Sequence, residues 1–259
     1  MEKLSERQPL PCAGEESARL KPARSKTFSR AYFKEAAALI KNVKILAFAA
    51  VICALRIAVK SLSVPIAPGV YLSFDCYVNA VGAMVYGPIF ALLVGAVSDT
   101  LGAVLFPKGA YFFPFIAVEM LSGFIFALFL WRKKLTAPRL LLAKFTVNFL
   151  CNIVLNSAIQ KWYYALFVTD KVYYMINGVR IVKNLAIFPL EAVLICVLLN
   201  ALLPGLKSLG YADKSQEGIA LEKKELLLCG AFAVLSVAIV LFYVFFLRDF
   251  VAAHNIKLF

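Results

Sequence analysis

The sequence predicts an all-α, polytopic transmembrane helical bundle, and three observations carry that prediction. Hydrophobic residues fill 62% of the 259 positions. Mean hydropathy is +0.82, well above soluble usage. The apolar residues fall in continuous runs of ~20, long enough to cross hydrocarbon as helices. A backbone in lipid must satisfy its own hydrogen bonds, so only helices and closed barrels qualify. These runs do not alternate as barrel strands do.

Residues 1–42 read as a basic cytoplasmic tail. Pro9, Pro11, Pro22 and scattered charges oppose a helix before about Ala31. Residues 43–206 read as a six-span core, with spans near 43–61, 74–86, 88–106, 111–131, 138–165 and 183–205. Pro65 and Pro68-Gly69 keep helix out of the first loop, and Gly87-Pro88 breaks the second span from the third. Pro107-Lys108-Gly109 makes the turn before the fourth. Residues 207–225, ending Glu222-Lys223-Lys224-Glu225, read as a polar linker, and 226–259 as an extra transmembrane helix with a short tail.

The net charge of +13 invites a nucleic-acid reading. Its placement opposes one. Ten Lys or Arg lie between Lys3 and Lys44, and Arg132, Lys133, Lys134, Arg139 and Lys144 form a second cluster. Both clusters border apolar runs, as cytoplasmic flanks do. Four crossings separate them, so both fall on one side. The expectation is a multi-pass plasma-membrane protein with its N-terminus in the cytoplasm. The six cysteines form no CxxC pair and read as small buried hydrophobes. The single histidine, His254, lies in the C-terminal tail. No cofactor, metal or catalytic constellation is expected.

Ionisable residues inside spans cost at least ~2.5–3.5 kcal/mol each on insertion scales, so they are site candidates. Arg56, Asp99, Glu119 and Glu191 are those residues. Arg56 and Asp99 both fall in the outer half, where they either pair with each other or face a ligand. On the fifth span Lys144, Asn148, Asn152, Asn156 and Gln160 recur every four residues, on one face. That stripe is either hydrogen-bonding glue between helices or, at Asn156, the edge of a polar pocket. The outer rim interleaves aromatics with bases: Phe74, Lys108 with Tyr111, Lys161 with Trp162, and Arg180 with Lys183. Such a rim is either an interfacial belt or a wall that stacks a flat ring and neutralises carboxylates. Ala50, Ala54 and Ala58 line one helix face and permit close approach of another backbone.

Several of these positions form a recognisable order. Leu72-Ser73-Phe74, Gly87-Pro88, Gly95, Ser98-Asp99, Gly102, Pro107-Lys108-Gly109, Tyr111-Phe112-Phe113-Pro114 and Gly123 follow one another, with Asn156-Ser157 and Arg180-Ile181-Val182-Lys183 further on. This pattern resembles the folate-family S component, the substrate-binding subunit, of energy-coupling factor (ECF) transporters, over about residues 43–206. Two features depart from the family. Residues 226–247 add an apparent seventh span, and Ala158-Ile159-Gln160 stands where the family tends to have Leu-Trp-Leu.

The resemblance implies a subunit that captures a vitamin from the exterior for ATP-driven import. It implies no ATPase of its own, in keeping with the lack of a GxxxxGK[ST] motif. Hydrolysis would come from two ATPase subunits coupled through a transmembrane scaffold, which would meet Ala50, Ala54 and Ala58. The substrate site would draw on Arg56, Phe74, Asp99, Lys108, Tyr111, Asn156, Trp162, Arg180 and Lys183. Folate suits such a rim, since it joins a flat pterin to glutamate carboxylates. Another flat or anionic micronutrient is the alternative within the class. An intramembrane enzyme and a membrane scaffold are the alternatives outside it.

Overall fold

The computed structural model describes residues 29–67, 70–107, 111–167, 178–212 and 218–219, with isolated positions 231 and 234. For 64–67, 70–72, 178–183, 185 and 186 only the backbone is described. The leader before 29, Lys108, residues 168–177, most of the expected linker and the expected extra C-terminal helix lie outside the described residues.

The chain begins with a short helix, α1, Arg30–Ala38, followed by a 3-10 turn, Leu39–Lys41. Ser29 caps α1 by accepting from the Ala31 amide. Asn42 is extended and accepts from the Lys44 amide, so it ends one helix and caps the next. The result is an 86° bend into α2, Val43–Ser61. The first loop forms a two-stranded antiparallel hairpin, β1 Val64–Ala67 and β2 Val70–Leu72, in an otherwise helical fold.

Helix α3 covers Asp75–Leu105 as two helical legs joined at a kink, where Gly87 has φ +78 and ψ −177. A straight helix would place residues 75 and 99 ~36 Å apart. Instead both legs run along α4, Phe115–Leu130. Asn79 on the first leg donates to Ser122, while Ala91 and Gly95 on the second pack against Gly123 and Glu119. The first leg is therefore parallel to α4 and the second antiparallel. α3 is a helical hairpin, as the Gly87-Pro88 break predicts. Gly87 adopts a left-handed conformation that other residues take at a cost. Pro88 follows as the first residue of the second leg, where its missing N–H is harmless. The first leg rises only ~18 Å from the hinge and the second ~27 Å. This leaves a step ~9 Å deep, over which the β-hairpin and Phe74 are carried.

The next span is a 31-residue helix, Ala137–Phe167, in three parts. They are α5 Ala137–Thr146, a π segment Val147–Leu155 and α6 Asn156–Phe167. Helix α7 covers Gly178–Ser208. By length and composition Asp75–Leu105, Ala137–Phe167 and Ile187–Ser208 are each able to cross a membrane. The bent pair containing α2 passes the same test as one unit, and α4 is a shorter apolar helix. The hinge divides α3 into two apolar legs, at the positions the six-span reading gives to its second and third spans. After α7 the chain turns at Gly210, and Asn200 grips the returning strand at both backbone groups of Ile219 (3.0 and 2.8 Å). Ile219 is buried in the core, so this part of the linker is packed rather than solvated.

The hinge is sealed from the basic end of the bundle. Trp131 lies over Gly87, and Tyr32 of α1 meets the Trp131 ring edge-on at 4.7 Å. Tyr32 also donates to the Ala127 carbonyl. Burial pushes its hydroxyl up to about 12, which keeps it a donor.

Replacing Gly87 with alanine places a Cβ 2.8 Å from the Trp131 ring at a positive φ. The expected loss is about 1–3 kcal/mol, read as a lower Tm in detergent with a shifted Trp131 emission. Gly205→Ala, where nothing lies within 4 Å of the new Cβ, should be neutral or stabilising by up to ~1 kcal/mol.

Candidate substrate site

Where the two legs of α3 meet α2 and α4, five ionisable side chains converge. Arg56 is fully buried. Its Nε donates to Asp75 Oδ1 at 2.9 Å and its Nη2 to Asp75 Oδ2 at 2.7 Å. Nη2 also donates to Glu119 Oε2 at 2.5 Å. One turn further along α2, Lys60 donates to Asp99 Oδ1 at 2.8 Å and lies 3.7 Å from Glu119 Oε1. Glu119 thus bridges two cations and ties four helical segments together.

The pairing of Arg56 with Asp99 considered from the sequence does not form. The hinge explains why. Asp75 and Asp99 stand twelve residues to either side of Gly87, so both return to one depth. Arg56 faces the short leg and takes Asp75, while Lys60 faces the long leg and takes Asp99. Asp75 and Lys60 escape a span-by-span reading because each sits at a span end, where charge is cheap. Their equal spacing about Gly87-Pro88 is the signal that was available.

A second buried pair flanks this network. Lys144 Nζ lies 2.9 Å from Glu191 Oε2, Asn148 Nδ2 donates to the same oxygen at 3.4 Å, and Asn152 donates to Asn148 at 3.1 Å. The Lys144–Asn152 half of the polar stripe is therefore glue between the fifth span and α7. The π segment matters here. Its wider turn rotates each residue through a smaller angle, so four-residue steps drift less than in an α-helix. Outward along the stripe, Asn156 is half-buried while Ser157 and Gln160 are buried.

Above the charges stands an aromatic wall. Phe112 lies at its centre, with ring centroids of Trp162, Tyr163, Phe167 and Phe115 between 5.2 and 6.0 Å away. Trp162 is 55% exposed and Tyr111 47%. Phe74 is exposed and packs on Tyr77 at 6.1 Å. Rings held edge-on in this way leave faces open for stacking a flat ligand. Phe112, the ring that assembles the wall, cannot be told from its neighbours in the Tyr111-Phe112-Phe113 run by sequence. The backbone of Arg180 and Lys183 lies in the first turns of α7. Their side chains, and all of Lys108, are outside the described residues.

Ala50, Ala54 and Ala58 are exposed, alongside exposed Leu46, Val51 and Leu55. The alanine face of α2 therefore meets no other segment among the described residues.

Substituting Arg56 with methionine strands Asp75 in a site whose side chain is 7% exposed. Unpairing a buried charge costs about 3–5 kcal/mol, so chemical unfolding in micelles should show a large destabilisation. Lys60→Met should cost less, because Lys60 and Asp99 retain side-chain exposures of 15% and 17%.

Comparisons with known proteins agree with this architecture. A folate transporter FolT of Clostridium novyi (strain NT) is 32% identical over 157 residues, covering 60% of this chain and 88% of that protein. A folate transporter FolT of Leuconostoc mesenteroides is 29% identical over 133 residues, covering 50% and 70% respectively. The crystal structure of FolT bound with folic acid superposes with a TM-score of 0.51 at 26% identity, over 57% of this chain and 86% of that one. The profile of the ECF-type riboflavin transporter S component family matches residues 40–203. With that match over the helices that build the charge network and the aromatic wall, the chain belongs to the family of ECF transporter S components.

Proposed function

We propose that this chain captures folate from the exterior and delivers it for ATP-driven import. The observation that carries the reading is the Phe112-centred wall, held at the outer end of a bundle whose relatives are folate transporters. A pterin is flat and stacks on Trp162, Tyr111 or Phe74. Asn156 lies along the same wall and offers donor and acceptor to a ring edge. Lys108, Arg180 and Lys183 supply positive charge for the glutamate carboxylates. Arg56 and Asp99 form the floor. Arg56 is paired with Asp75 and Glu119 beneath the surface, and the partly exposed Lys60–Asp99 pair offers the polar contact, so no uncompensated charge faces lipid.

The family profile carries the name of riboflavin, and riboflavin is the second reading. It too is flat, but it lacks the glutamate carboxylates, so the basic rim favours folate. The exposed alanine face of α2 fits close approach of a transmembrane scaffold. Two ATPase subunits attached to that scaffold would supply the hydrolysis. The basic end, with Arg30, Lys34, Arg132 and Lys134 exposed, would face the cytoplasm of a plasma-membrane protein.

Titration of the purified chain with folic acid should quench tryptophan emission, and Trp162→Phe should remove most of that signal. Joint replacement of Arg180 and Lys183 by alanine should weaken folate binding by about tenfold or more, one lost charge-assisted contact being worth ~1.5–3 kcal/mol. Riboflavin titrated in parallel decides between the two ligands. Ala54→Phe should abolish co-purification of a scaffold subunit while leaving folate affinity unchanged.

A further inference from the structure

The basic end of the bundle carries a surface that substrate capture does not use. Helix α1 turns 86° from α2, the first membrane-crossing helix, and so lies close to the plane of the membrane. Tyr32 and Ala36 bury one side of α1 against Trp131 and its surroundings. Arg30 and Lys34 lie two residues before each of these, ~200° around the helix, and point away from the protein. Lys41 and Lys44 continue the exposed positive surface at the bend. The one acid on α1, Glu35, is turned to Arg132 at 2.6 Å. Arg132 itself is held at φ 53 with its guanidinium 4.7 Å from the Trp131 ring. Among the described residues, no acid pairs with Arg30, Lys34, Lys41 or Lys44. Like charges one turn apart repel, so this stripe favours an anionic partner.

We infer that α1 and the bend after it bind the headgroups of anionic phospholipids in the leaflet at the basic end. Two features select lipid over an acidic protein. The positive stripe adjoins apolar side chains that stay exposed, Ile40 at 44%, Val43 at 76% and Leu46 at 52%. A phospholipid satisfies both at once, phosphate against the bases and acyl chain against the apolar shoulder. The 86° bend also turns α1 across the end of α2, the attitude of an interfacial amphipathic helix. Lipid held here would brace α1 over the Gly87 hinge.

The test uses the full-length chain, purified alone in mild detergent and supplemented with phosphatidylglycerol or phosphatidylcholine. Retained lipid is counted by native mass spectrometry, and the Tm is measured in parallel. Phosphatidylglycerol should be retained preferentially and should raise the Tm, whereas phosphatidylcholine should do neither. Replacing Arg30, Lys34 and Lys41 by glutamine should lower the retention ratio by roughly fivefold per cation. About 0.5 M NaCl should erase the preference in the unmodified chain. Folate binding by the same variant, read by tryptophan quenching, should persist. Equal retention of the two lipids would overturn the inference. So would a triple variant that keeps its preference.

Discussion

Hydrocarbon offers a buried charge no water, and that constraint organises the centre of this bundle. Arg56 can be fully buried only because Asp75 and Glu119 meet it there. Glu119 in turn reaches Lys60, and Lys60 holds Asp99. None of the five residues shares a helical leg with more than one other. Neutralising them therefore requires α2, both legs of α3 and α4 to assemble in one register. Such a network adds little to net stability relative to a well-packed apolar core, since desolvation offsets most of the Coulomb gain. Its contribution is to exclude other packings, because a shift by one turn would strand at least one charge in lipid.

The hinge at Gly87 makes that register possible and also shapes the end of the bundle opposite α1. A leg of ~18 Å and one of ~27 Å that start from one hinge cannot end at one level. The short leg leaves a step, and the chain fills it with a β-hairpin and Phe74 rather than with more helix. The aromatic wall around Phe112 rises beside the step, above a floor whose charges are already paired. A flat anionic vitamin fits this division of labour. Under the proposed function the wall would stack the ring, the rim bases would take the carboxylates, and the floor would stay electrostatically quiet. At the other end Trp131, Tyr32 and α1 close the hinge, so the two ends of the bundle differ: one is sealed and the other carries the aromatic wall.

Much of this was legible in the sequence. Apolar runs marked α2, α4, the fifth span and α7 to within a few residues, and Gly87-Pro88 marked the hinge. The four-residue recurrence of Lys144, Asn148, Asn152, Asn156 and Gln160 placed a polar stripe inside the bundle. The order of short motifs pointed to the S component family that the profile match then established. The partners of the buried charges were less legible. Arg56 and Asp99 were the conspicuous ionisable residues, but the pairs run Arg56–Asp75 and Lys60–Asp99. The π segment was invisible too, because the same polar spacing suits either helix type.

The sequence by itself determined the solvent, the helical class, the break in α3 and the placing of the two densest basic clusters at one end. These follow from composition and local punctuation, which act over a few turns. Only the tertiary structure decided which charge meets which, which ring stands at the centre of the aromatic wall, and how α1 lies across the basic end. Those outcomes depend on the depth and rotation of helices far apart in the chain. That geometry is set by all the packing contacts together, because a buried charge or ring takes whichever partner the assembled helices bring within reach.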